Sequence, residues 1–284
     1  MKSIITLMKV ISVIEPKKFG MKPLTSSLIR KLSSFGSVGT IKSLEFCQYS
    51  KETEATRDFE TGAEIVIGLT ASQMISFSEG QKLEQALDSL CNSGLDFAVI
   101  EGFKGSELPK IILGNPEGIS NILMELPENS EINEALLTSI LEKILAQPER
   151  YTLEALIKKI RKDPKIRKAG SIGTFTGIVR ELDENTKTSK LEFEKYEPEA
   201  SKVLNNICEE LKQKKGIFEV LIYHKTGVIK AGEDIVYIVI ASAHRTELFP
   251  ALSEAIERIK AEAAIWKKEF TENEEFWVHD RKHS

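Results

Sequence analysis

Arg180, His244, Arg245, Lys260 and Lys267 are the residues of this chain whose types and spacing suit chemistry on a small anionic substrate. They lie in the blocks GTFTGIVRE (173–181), SAHRTELF (242–249) and IKAEAAIWKKEF (259–270), with a fourth block, YEPEA (196–200), between them. His244 and Arg245 follow the apolar run Ile235–Ile240 and precede a helical pattern. At such a junction backbone N–H groups and the helix dipole favour an anion. Together the five residues would make a cationic pocket containing a histidine, the residue type that changes protonation near neutral pH. Each also has an ordinary account: Arg180 as a strand-end surface residue, His244–Arg245 as a turn, and Lys260 and Lys267 as solvated charges at a helix terminus, where cations are favoured. It is their co-occurrence that favours a multiply anionic substrate. No serine nucleophile is paired with a base, no residues have metal-ligand spacing and no close carboxylate pair has a clear role, so hydrolase and metalloenzyme readings lack support.

A second candidate lies near the start. The stretch KVISVIEPKKFGMKPLTSSLIRKL (9–32) passes from an apolar run through a turn into a helical pattern, the layout of a phosphate-cradling loop. A working loop needs G-x-x-x-x-G-K-[ST]: glycines so that N–H groups can surround phosphate, a lysine on the outer phosphates and a hydroxyl for Mg²⁺. Here the first glycine position is Glu15, the second is Gly20, the lysine position is Met21 and the hydroxyl position is Lys22. Three of the four requirements fail, and Glu15 brings a carboxylate to the place where polyphosphate would sit. Lys22 would have to slide into register, with Thr25 or Ser26 supplying the hydroxyl. GTP and Mg²⁺ are therefore not expected here. Glu101, at the end of a strand pattern, has two readings: a relic of a metal-coordinating carboxylate or an acid capping a turn.

The elements that must hold these residues divide into two sets. In residues 1–148, strand-like runs (MKVISVI, SVGTIKS, AEIVIGLT, DFAVIEGF, KIILG) alternate with helix-like ones (LTSSLIRKLSSF, GQKLEQALDSLCNSG). Short apolar strands separated by helices indicate a mostly parallel α/β sheet. A proline-bounded polar patch after Pro116 leads into a helix with Ile132, Leu136, Ile140 and Ile144 on one face, and the domain boundary is placed near Pro148. Residues 149–284 begin with the amphipathic YTLEALIKKIRKD. They continue with a glycine-punctuated strand, the alternating KLEFEKYEP, a helix EPEASKVLNNICEELKQKKG and the strand pair EVLIYHKTGVIKAGEDIVYIVIASA. A last helix, Thr246 to Glu262, has Leu252, Ala255, Ile256 and Ile259 at core-facing spacing, and Pro250 falls in its first turns, where the lost N–H costs least.

With 284 residues, 41% apolar and 29% charged, the composition is that of a soluble globular chain long enough for two domains. Cys47, Cys91 and Cys208 form no CxxC pair and no Cys/His cluster, which fits a reducing cytoplasm. The opening MKSIITLMKVISVI is taken as a first strand, since Lys9 interrupts it and no cleavage site follows. No apolar run is long enough to span a membrane. Residues 1–148 hold 14 Lys and Arg against 19 Asp and Glu, whereas 149–284 hold 25 against 24. The lysines thus gather in the second half, without the basic-aromatic interleaving of a nucleic-acid binder.

Two resemblances follow from these residues. TFTGIVR, SAHR and IWKKE, in this order and spacing, closely resemble the catalytic (large) subunit of molybdopterin synthase from about Tyr151 to the C-terminus. The resemblance implies an α/β hammerhead-type (α+β) domain that converts a cyclic pyranopterin monophosphate into molybdopterin by installing two sulfurs as a dithiolene. The sulfur would come from a small ubiquitin-like carrier subunit whose C-terminal Gly-Gly ends as a thiocarboxylate, with no cofactor or metal required for the step. It further implies a homodimer of large subunits, a heterotetramer with the carriers. By the same resemblance, substrate contacts fall on Ile178, Val179 and Arg180 and on His244 and Arg245. The first essential lysine falls on Lys260, expected to act as general acid/base or as a transient acyl acceptor, and the second lies in Lys267, Lys268 and Glu269. Many members have proline where this chain has Ala264. The first half, about residues 8–114, resembles the guanine-dinucleotide biosynthesis protein B of molybdenum cofactor assembly, a P-loop GTP-binding adaptor, in its opening strand, VGTIKS, the spaced RDFETGAEIVIG and DFAVIEGFKGSELPKI, with the phosphate loop degraded. The alternative function is accordingly a GTP-binding adaptor or scaffold for molybdopterin guanine dinucleotide formation.

Overall fold

The computed structural model describes residues 7–16, 23–43, 57–58, 61–78, 82–115, 117–183, 186–272 and 275–277. The chain forms two compact units, Met1–Ala155 and Leu156–Ser284.

The first unit is built on a sheet of β1 (Met8–Ile14), β2 (Val38–Lys42), β5 (Phe97–Glu101), β6 (Lys110–Leu113) and β7 (Ile122–Leu126), in the order β2-β5-β1-β6-β7. All four of these pairings are parallel. Parallel strands are covered on both faces, and β1, β5 and β6 are accordingly buried at every position. Helices α1 (Pro23–Ser33) and α3 (Glu134–Leu145) pack Leu24, Leu28 and Leu32 and Leu137, Ile140, Leu141 and Ile144 against Ile11, Val13, Val99 and Ile111. The expected face of α3 is the packed one, with Ile140 and Ile144 fully buried and Leu136 partly so, and it is widened by Leu137 and Leu141; Ile132 precedes the helix and packs on the same cluster. The polar patch before it contains β7, an edge strand with mixed burial, which the flanking Pro116 and Pro127 obscure.

AEIVIGLT does not join the parallel sheet. It forms β3 (Ile65–Leu69), which among the described residues pairs only with β4 (Met74–Ser78), in an antiparallel hairpin. Ile65, Ile67 and Leu69 are exposed there, so a β-branched run gave the strand without its burial. After α3 the chain returns as β8 (Glu149–Arg150), antiparallel to β1, and Arg150 forks to Asp88 and Glu84 of α2 (Leu83–Asn92), at 2.8 Å to each. Lys110 is fully buried, its ammonium donating to the carbonyls of Ser106, Leu108 and Ser120.

In the second unit the strands are antiparallel. One sheet runs β12 (Ile217–His224), β14 (Asp234–Ser242), β9 (Ser171–Ile178). Helices α5 (Glu199–Lys212) and α6 (Arg245–Glu262) cover it, packing Leu204, Ile207 and Leu211 and Leu248, Leu252, Ala255 and Ile259 on Val220, Ile238 and Ile240. The last helix therefore begins within a residue of its expected start, with Leu248 and Ala251 added to the core face and Ile256 only partly buried. A second sheet runs β10 (Leu182–Asp183), β11 (Thr186–Lys195), β15 (Ile265–Thr271), β16 (Glu275–Trp277), with β13 (Gly227–Lys230) also paired to β11. Its apolar cluster is Val179, Leu191, Phe193 and Ile229, with Ile265 packed against it. Among the described residues no helix is long and apolar enough to cross a membrane.

Candidate active site

Two ends of one helix carry most of the expected site. At the start of α6, His244 is the N-cap residue in extended conformation, φ −141° and ψ 164°. Its carbonyl accepts from the N–H groups of Glu247 and Leu248 and from the hydroxyl of the fully buried Ser242, at 3.0 Å. The imidazole makes no capping hydrogen bond, and both His244 and Arg245 are exposed. A Cβ at Gly173 would come within 2.7 Å of a Leu248 methyl, so the glycine lets the first turns of α6 seat directly on β9. Glu247 lies in the same turn, and the Thr246 hydroxyl beside it holds its carboxyl below the usual range.

Lys260 stands in the last turn of the helix, exposed, with its ammonium 3.3 Å from Glu257. At 1.5 Å per residue the fifteen steps from Arg245 to Lys260 span about 22 Å. The expected pocket is therefore not assembled as one cluster: His244 and Arg245 are at one end of a rod, and Lys260 is at the other.

At the Lys260 end the chain turns through Ala263 and Ala264 into β15. There Lys267 is paired with Phe193 of β11, Lys268 with Glu192 and Glu269 with Leu191. Alternation along a strand places Lys267 and Glu269 on one face and Lys268 on the other. Lys268 is bound to Glu275 at 3.0 Å and lies 4.9 Å from the Phe270 ring centroid. Glu269 accepts a hydrogen bond from the buried Thr188 hydroxyl. The segment Ile178–Arg180 leaves β9 on the Lys267 side: Val179 is buried in the cluster with Phe193, its N–H donating to Glu233 O and its carbonyl accepting from Gly232 N, both at 2.9 Å. Ile178 and Arg180 on either side are exposed.

One group here was not singled out from the sequence. His224, the last residue of β12, is buried with its ring edge-on to Phe193, centroids 5.0 Å apart, and its Nδ1–H donates to Lys225 O at 2.7 Å. Burial lowers its pKa to about 4; the hydrogen bond opposes this, and the nearby Lys195 ammonium adds to it.

In the first unit, Gly20 and Lys22 lie outside the described residues. Glu15 is described: its carboxylate accepts from the N–H groups of Leu24 and Thr25 at 3.1 and 3.0 Å, two of the unpaired donors in the first turn of α1. Glu101, at the carboxyl end of β5, is buried and ion-paired with Lys42 at 3.4 Å. Among the described residues no three His, Cys, Asp or Glu side chains are grouped to hold a metal ion.

The chain has relatives among known proteins. The family model described as MoaE protein matches residues 146–262. A probable molybdopterin synthase of Haloferax volcanii is 34% identical over 249 residues, 87% of this chain and 91% of that protein. The molybdopterin synthase catalytic subunit of Bacillus subtilis is 42% identical over 128 residues, 45% of this chain and 79% of that one. The solved structure of MobB from Bacillus subtilis aligns with 49% of this chain and 99% of its own, at 14% identity and a TM-score of 0.38. The chain belongs to the molybdopterin synthase family, enzymes of molybdenum cofactor biosynthesis.

Proposed function

We propose that this chain is the catalytic subunit that converts cyclic pyranopterin monophosphate into molybdopterin with sulfur from a thiocarboxylated carrier subunit. The observation that carries the reading is the convergence at the C-terminal end of α6. Lys260 stands in the last turn of the helix, Lys267 follows on β15, and Val179, buried in the cluster with Phe193, the cross-strand neighbour of Lys267, anchors the exposed Arg180 that follows it. Arg180 and Lys267 supply fixed positive charge for the substrate phosphate and for the carrier terminus, the kind of preorganised donor set that favours charge developing in a transition state. Lys260, exposed and among the described residues paired with Glu257 alone, can meet an incoming glycine tail, as general acid/base or as a transient acyl acceptor.

The 22 Å along α6 bears on the oligomer. His244 and Arg245 reach the same substrate as Lys260 only if a second copy supplies them, which supports a homodimer with one carrier at each distal end. The step as proposed uses no metal or cofactor of the protein. The adaptor reading, in which the first unit binds GTP, is not favoured: Glu15 already engages the first turn of α1.

The test is to mix the protein with cyclic pyranopterin monophosphate and a thiocarboxylated carrier and to assay molybdopterin as its fluorescent oxidation product. Product formation supports the synthase reading. Absence of product from folded protein and competent carrier removes it.

A further inference from the structure

The synthase reading uses Lys267, and the sheet places a second lysine beside it. Lys195, the last residue of β11, stands opposite Ile265, while Lys267 stands opposite Phe193. Cross-strand partners share a face, and so do residues two apart, so Lys195, Phe193, Ile265 and Lys267 all project from one side of the ladder. Diagonal neighbours in such a ladder lie about 7–8 Å apart, close enough for two long side chains to close on one small anion.

That side is an apolar floor of Leu191, Phe193 and Ile265. Both lysines are half-buried on it, and among the described residues neither has a carboxylate within ion-pair distance. Glu269, on the same face, is taken up by the Thr188 hydroxyl. Glu197 acts on Lys195 from further off, and burial outweighs it, pulling the Lys195 pKa below the ordinary lysine value. His224, behind Phe193, brings no counter-charge. Two like charges held together on an apolar surface repel each other and lose hydration, an arrangement that a ligand's negative charge would relieve.

The geometry points to Lys195 as a second anion-binding lysine that works with Lys267 to clamp the charged group of a ligand. This rests on the synthase reading, in which the compact anion comes from one of two sources, the substrate phosphate or the carrier thiocarboxylate.

The experiment compares full-length wild type with Lys195→Met and Lys195→Arg. It measures kcat and KM for cyclic pyranopterin monophosphate at saturating carrier, the Kd of the carrier by calorimetry, and the thermal midpoint. A lost charge-assisted contact raises the affected constant by about tenfold or more. In Lys195→Met the rise falls on KM if the phosphate is the anion and on Kd if the thiocarboxylate is. It exceeds any change in kcat, the thermal midpoint holds, and Lys195→Arg recovers most of the loss. Constants within about twofold of a working wild type in Lys195→Met would overturn the inference and leave the synthase reading standing, as would equal losses in both variants with a lower thermal midpoint. A wild type that neither binds the two ligands nor turns over removes both.

Discussion

Glu15 and Thr25 are joined by a 3.0 Å hydrogen bond from the Thr25 backbone N–H to the Glu15 carboxylate, and Leu24 donates to the other oxygen of the same group. Pro23 opens α1 and has no N–H to give, so the carboxylate satisfies the next two donors and sits at the positive end of the helix dipole. Glu15→Ala removes this cap and lowers stability by about 1 kcal/mol, measured as a shift in the urea midpoint at constant slope. Calorimetric titration of the wild type with GTP and Mg²⁺ gives no saturable heat. A stoichiometric GTP site would restore the adaptor reading.

Lys260→Ala abolishes molybdopterin formation, by about a hundredfold or more, and leaves the fold intact. The Lys260 side chain is 68% exposed and its pairing with Glu257 is a surface ion pair of small worth. Circular dichroism and the thermal midpoint therefore match the wild type while product fluorescence disappears. An active Lys260→Ala protein would remove Lys260 from the mechanism.

His244→Ala and Lys260→Ala, each impaired alone, complement each other when mixed and allowed to exchange subunits. If a site takes its histidine from one copy and its lysine from the other, half of the randomly assorted dimers contain one intact site, and activity returns to about a quarter of wild type. No recovery after verified exchange would mean that no site combines the histidine of one copy with the lysine of the other.

Stability falls with acid through His224. Its folded pKa, about 4, lies below the ordinary value of 6.5, so the folded state binds fewer protons than the unfolded chain across that interval. The contribution is fully present above about pH 6.5 and is lost as pH falls towards 4, up to about 3 kcal/mol. Urea unfolding between pH 7 and pH 4 shows this slope in the wild type and a shallower one in His224→Phe. Equal slopes would mean that His224 titrates normally in the fold.

Periodicity along the chain made the individual strands of the parallel sheet and the last helix legible, because each is local, and residue types and spacing marked the motif-bearing blocks. Its failures have physical causes. Ile65, Ile67 and Leu69 alternate in a β-branched run as buried strands do, but they belong to a two-stranded hairpin with one face exposed. The strand Ile122–Leu126 lies at the sheet edge with mixed burial, inside a stretch whose prolines and polar residues read as a linker. The five cations were expected together, and only the length of α6 shows that two of them stand apart from Lys260. Lys195 was not singled out at all, since its nearness to Lys267 comes from the pairing of strands more than seventy residues apart, which no local pattern carries.

The fully buried Lys110, donating to three carbonyls of the segments around it, does what a bound monovalent cation would do in a ring of oxygens. A free ion in that place would exchange with the medium and leave on dilution. One tethered by its own side chain is present at an effective concentration fixed by the covalent link. The turn before β6 therefore keeps its shape whatever the surrounding ionic composition, because the chain supplies the ion itself.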